Sequence, residues 1–147
     1  MVKRQKTNHR SFFTREEKNQ IVSAIREAEK KTSGEIRVFL EKGARGDLME
    51  RAQKIFEKLG MTRTKRRNGV LIYLSIRNRE FVILGDRGIH QKVGDDFWRD
   101  VVSIFEKRFS EGHFVEGIVS GIHEIGKKLQ IHFPREKGDV NELPDTV

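Results

Sequence analysis

The sequence predicts an α/β fold: a three-layer α/β/α sandwich, with a small mixed sheet of three or four strands and helices on both faces. Three observations lead there. Stretches with apolar residues at i, i+3, i+4 and i+7 alternate with stretches of period two or unbroken apolarity, in the order α-β-α-β-β-α-α. Two strands, Val70-Leu71-Ile72-Tyr73-Leu74 and Phe81-Val82-Ile83-Leu84, are apolar at every position, the pattern of strands covered on both faces. The apolar residues make up 35% of 147, and the 13 glycines bring the share to roughly 44%, close to the globular norm.

Residues 1–13 are polar and basic and read as a flexible arm ahead of a single domain over residues 14–133. At Thr14-Arg15-Glu16-Glu17 the Thr and the Glu three residues on form a capping box, which satisfies orphan amides at a helix start. Ile21, Ala24, Ile25 and Ala28 then make one stripe, so the first helix spans about 15–31 and stops at Thr32-Ser33-Gly34. Ile36, Val38 and Leu40 share one face of the first strand. After Gly43-Ala44-Arg45-Gly46, Asp47 caps a second helix with Leu48, Ala52, Ile55, Phe56 and Leu59 on its buried side, and Gly60 ends it. That helix is a crossover and implies a parallel first pair. The short polar link Ser75–Glu80 allows an antiparallel second pair.

Beyond Gly85-Asp86-Arg87-Gly88 the helical period returns, with Phe97, Val101, Val102, Phe105 and Phe109 on one face and Trp98 at its border. Ser110-Glu111-Gly112 breaks this helix. The last one carries Phe114, Ile118, Ile122, Ile125 and Leu129, and Pro134 opens a tail over 134–147. Gly117, Gly121 and Gly126 on that helix permit close approach to a neighbour.

Several function classes drop out. No cysteine is present, which excludes disulfides, thiol catalysis and Cys-ligated metal. The five histidines never pair at i, i+4, so a zinc site of that type is not expected. No run approaches a membrane span, and the amino terminus lacks the apolar core of a secretory signal. The expectation is a cytoplasmic monomer, with an unidentified protein partner left open.

Four segments resemble the TPM domain family, named for a thylakoid acid phosphatase, a photosystem II repair protein and an acetylcholine-receptor modulator. They are Thr32-Ser33-Gly34-Glu35-Ile36, Asn68-Gly69-Val70-Leu71-Ile72, Gly85-Asp86-Arg87-Gly88-Ile89 and Gly112-His113-Phe114-Val115-Glu116-Gly117-Ile118. They span roughly residues 14–130, in order and on the expected elements, and the chain looks most like short free-standing bacterial members. The resemblance implies the sandwich fold, and as activities of the family either calcium binding or phosphomonoester hydrolysis. It implies fold more strongly than reaction.

The candidate chemistry centres on Asp86, directly after a buried strand. Asp95, Asp96 and Asp100 follow within one loop and a helix start. Ligands of open α/β sheets sit beyond the carboxyl ends of strands, and carboxylates gathered there suit Ca²⁺ or Mg²⁺. The expected metal ligands are therefore Asp86, Asp95 and Asp96, although Asp95 or Asp96 equally serves as a helix cap. A phosphatase would use Asp86 and Arg87 with Glu35 at the strand entrance, yet no phosphatase signature accompanies them. Gly85, Gly88 and Gly94 match no phosphate-loop spacing and read as turns. Lys+Arg 30 against Asp+Glu 22 gives a net charge of +8. Arg63, Lys65, Arg66 and Arg67, with Lys3, Arg4, Lys6 and Arg10 in the arm, offer a surface for non-specific nucleic-acid binding, without any accompanying nucleic-acid motif. The reading that follows is a TPM-like binding or accessory module, with phosphatase and nucleic-acid binding as alternatives.

Overall fold

The computed structural model describes residues 13–135. In chain order its elements are α1 (Arg15–Glu29), β1 (Glu35–Glu41), α2 (Leu48–Lys58), a 3₁₀ turn (Met61–Arg63), β2 (Gly69–Ser75), β3 (Glu80–Gly85), α3 (Arg87–Lys92), a second 3₁₀ turn (Asp95–Trp98), α4 (Arg99–Ser110) and α5 (Phe114–His132). The arm residues 1–12 and the tail residues 136–147 lie outside the described residues. The last residue assigned to the arm, Phe13, is buried in the core.

The sheet has three strands in the order β1-β2-β3, the lower of the two expected numbers. β1 and β2 are parallel, with Ile36 opposite Val70, because α2 carries the chain back across the sheet before β2 begins. β2 and β3 are antiparallel, with Val70 opposite Gly85, because a four-residue turn joins them. Arg79 ends that turn at φ 54.

Period-two alternation sorts the strands between two cores. Ile36, Val38, Val70, Ile72 and Leu74 face α1, α4 and α5, joining Ile21, Ile25, Phe105, Ile118, Ile122 and Leu129 in the larger cluster. Leu71 and Tyr73 face α2 and pack with Ala52, Ile55, Phe56 and Met61. β2, buried along its whole length, is the shared wall of both. This is the three-layer arrangement the alternation predicted.

The caps explain where helices start. Thr14 and Glu17 close the capping box at α1, with the Thr14 N–H donating to Glu17 Oε1 at 2.8 Å and the Glu17 N–H to Thr14 Oγ1 at 3.1 Å. Asp47 caps α2 by accepting from the Met49 N–H at 2.8 Å. The stretch after β3 departs from expectation. Instead of a loop it forms the six-residue helix α3, since Asp86 caps it by accepting the Arg87 N–H and Gly88 lets it dock. Phe97 and Trp98 then lie in a 3₁₀ turn ahead of α4 rather than within that helix.

α4 and α5 meet at Gly121, where an added Cβ would come within 2.4 Å of the Phe105 ring. On an open helix face, Gly→Ala would be stabilising by about 1 kcal/mol. Here sterics reverse the sign, because the Phe105 ring is fully buried and has nowhere to go. Gly121→Ala is expected to lower urea-measured stability by about 1–3 kcal/mol. Pairing it with Phe105→Leu should return part of the loss, an interaction energy a double-mutant cycle reads directly.

Candidate functional site

The two ends of the sheet are chemically different. At the amino ends of β1 and β2, β3 arrives antiparallel, so its own carboxyl end, and Asp86 with it, lies there too. The rule that ligands collect at carboxyl ends holds for parallel strands. The strand direction therefore puts Asp86 at the opposite end from the crevice of the parallel pair.

At this end the polar groups hold one another. Asp86 is 6% exposed. Its Oδ2 accepts from Arg67 Nε at 2.7 Å and its Oδ1 from Arg67 Nη2 at 2.9 Å, a bidentate pair. Oδ1 also accepts the Arg87 N–H at 2.7 Å, starting α3. Arg67 itself holds a left-handed backbone at φ 51. Its carbonyl accepts from the Gly88 N–H at 2.9 Å. A Cβ on residue 88 would lie 2.0 Å from the Arg66 carbonyl oxygen, so only glycine permits this approach. Asn68 Nδ2 donates to Ser33 Oγ at 3.3 Å. Thr32 Oγ1 donates to the Phe133 carbonyl, and Thr32 bridges to Pro134.

The remaining sequence candidates are scattered around this cluster. Glu35 is buried at the start of β1, two strands from β3, a backbone separation of roughly 9–10 Å. Arg87 is exposed on the first turn of α3. Asp95 and Asp96 are exposed on the second 3₁₀ turn, where Asp96 pairs with Arg99 at 2.6 Å. Asp100 pairs with Lys128 at 3.3 Å. Among the described residues no three acidic or histidine side chains are grouped to hold a metal ion. Of the basic loop, Arg63, Lys65 and Arg66 are exposed, and Arg67 is committed to Asp86.

At the carboxyl ends of β1 and β2 lies a network the sequence reading passed over. Glu41 accepts from Arg51 Nε at 3.0 Å, from Arg51 Nη2 at 2.5 Å and from the Tyr73 hydroxyl at 2.6 Å. Arg51 also lines a cavity of about 370 Å³ with Asp47, Glu50, Lys54 and the 43–46 loop. The hydrogen bond from Arg51 holds Glu41 below the usual carboxylate range. Burial and the bond to Glu41 push the Tyr73 phenol up to about 12. The signal was available: the chain's only tyrosine interrupts an apolar strand, and a buried phenol needs a partner.

Three of the four TPM-like segments, Thr32–Ile36, Asn68–Ile72 and Gly85–Ile89, thus meet at one end of the sheet. The fourth opens α5, where a Cβ at Gly117 would come within 2.9 Å of Arg108. The TPM domain model matches residues 7–128. The chain belongs to the TPM domain family. It is similar to the solved structure of the BA42 protein from the psychrophilic bacterium Bizionia argentinensis, at 47% identity and a TM-score of 0.90, over 93% of this chain and 94% of that one. No curated protein matches. No helix among the described residues is long and apolar enough to cross a membrane.

The Glu41–Tyr73 bond makes a pH prediction for this TPM domain. A phenol raised to about 12 contributes stability present below its unfolded value near 10, and lost as pH rises between the two. The lowered Glu41 contributes stability present above its unfolded value of 4.5 and lost as pH falls below it. Denaturation midpoints should therefore decline above pH 10, and Tyr73→Phe should remove that alkaline slope.

Proposed function

We propose that this TPM domain works as a binding module rather than as a hydrolase. One observation carries the reading: both oxygens of Asp86 are bonded to Arg67, and one also caps α3. A carboxylate engaged in this way is a poor base and a poor nucleophile, since its oxygens already accept from the Arg67 guanidinium and the Arg87 amide. Arg87 and Glu35 do not repair the deficit, one lying on the surface and the other buried two strands away. The basic loop gives up one of its four cations to the same ion pair, which leaves nucleic-acid binding the weaker alternative.

A divalent cation is the ligand class we assign to the acidic stretch. Asp95 and Asp96 are exposed, and the Asp96–Arg99 pair, with both side chains more than 70% exposed, contributes little to hold Asp96 back. As folded, Asp86 does not fit a three-carboxylate centre. It joins Asp95 and Asp96 only by leaving Arg67, which limits affinity to roughly the millimolar range of weak calcium modules.

Two experiments test these readings. Asp86→Asn should lower the urea denaturation midpoint, because it takes the counter-charge and one acceptor oxygen from the partly buried Arg67 guanidinium. Neither parent nor variant should turn over a chromogenic phosphate ester; activity in the parent that vanishes in a folded Asp86→Asn variant would restore the phosphatase reading. Calcium added to millimolar levels should shift amides between residues 94 and 100, and Arg67→Ala should tighten binding by freeing Asp86. Unmoved amides in that window would remove the cation.

A further inference from the structure

The sheet treats its two edges differently. On β1 the outward N–H of Ile36 is taken by the buried Glu29 side chain, whose Oε2 accepts it at 2.8 Å. On β3 the outward groups can be identified from the ladder. The Asp86 N–H donates to the Gly69 carbonyl at 3.0 Å, so residues 84, 82 and 80 make the hydrogen-bonded pairs with β2. Phe81 and Ile83 therefore turn their N–H and C=O groups away from the sheet. Among the described residues nothing bonds them from that side.

Alongside that edge runs a groove of about 710 Å³, walled by Phe81, Ile83, Val102, Phe109 and Phe114, with Met49 across from them at 44% exposure. A second cavity of about 270 Å³, sharing Arg79, Phe109 and Phe114, continues it toward the β2–β3 turn. Edge strands are normally blunted by a lysine, a proline or a covering element. Phe81-Val82-Ile83-Leu84 carries no such residue.

We propose that this edge takes an extended peptide segment of another protein as a fourth strand. Backbone groups of Phe81 and Ile83 supply the ladder, and the groove receives every second side chain, the usual division between affinity and specificity in strand addition. Charge identifies the partner's chemistry. In a chain of net charge +8, the larger groove carries Glu80 and Glu106 against one cation, Arg79, whereas the cavity toward the turn adds Arg77. The segment accordingly has alternating apolar residues and a Lys or Arg at the end that lies along the larger groove.

A displayed library of seven-residue peptides, selected on the intact chain, tests this independently of the cation reading. Enriched sequences should alternate apolar residues and carry a basic flank. Bound, they should slow amide exchange at Phe81 and Ile83 at least tenfold. Glu80→Lys with Glu106→Lys should weaken binding at least tenfold while the amide spectrum stays native. Ile83→Pro removes an outward N–H without touching the β2 ladder and should abolish binding; should it fail to fold, the charge reversal decides. No enrichment, or enriched peptides that protect other amides, overturns the proposal. So does protection of Phe81 and Ile83 that grows with protein concentration alone, which would assign the edge to a second copy.

Discussion

The ion pair between Arg67 and Asp86 organises more of this molecule than any other polar contact. It joins Arg67, two residues ahead of β2, to Asp86, just after β3, so it pins the open end of the antiparallel pair, opposite the 76–79 turn. The same carboxylate starts α3, and the carbonyl of the same arginine receives the Gly88 N–H. Because Asp86 is nearly buried and Arg67 partly so, each charge depends on the other for solvation lost on folding. The pair also determines the chemistry available. On the proposed reading, a carboxylate that holds this junction together is withdrawn from catalysis, and the motif segments surrounding it contribute glycines and short polar side chains to the same junction.

The fold was legible because it is written in periodicity, which a single sequence carries in full. Ile21, Ala24, Ile25 and Ala28 mark one helical stripe, and β2 announces its double burial by being apolar throughout. Turn chemistry was legible as well, in the Thr14–Glu17 box and the Asp47 cap. What escaped is three-dimensional. The acids of residues 86–100 are neighbours in sequence, yet α3, the 3₁₀ turn and the start of α4 hold one inside and three on the surface. Strand direction also escaped: Asp86 follows a strand, as a ligand residue of a parallel sheet would, but that strand runs the other way. The Glu41–Arg51–Tyr73 network joins residues up to 32 positions apart and has no local signature beyond a tyrosine in an apolar strand.

The two sheet edges show how a small domain distributes protection. Burying Glu29 beside β1 requires desolvating a carboxylate, and the Ile36 amide offsets part of that demand. Among the described residues β3 receives no equivalent guard, though aromatic side chains crowd one flank of it, with Phe81 against Phe105 at 5.2 Å and Phe109 at 5.5 Å between ring centroids. These rings stiffen the strand from within while leaving its backbone open outward, a combination that suits a surface kept rigid and receptive.

The single tryptophan carries a practical consequence. Trp98 packs edge-on against Phe97 at 4.6 Å and lies close enough to Gly85 that a Cβ there would strike its ring at 2.7 Å. It stands two residues from Asp96 and at the close of β3, so one indole is a resident optical reporter for the junction of sheet and acidic turn. Its emission colour and quenching register rearrangements there with no label attached and no competing fluorophore of its kind.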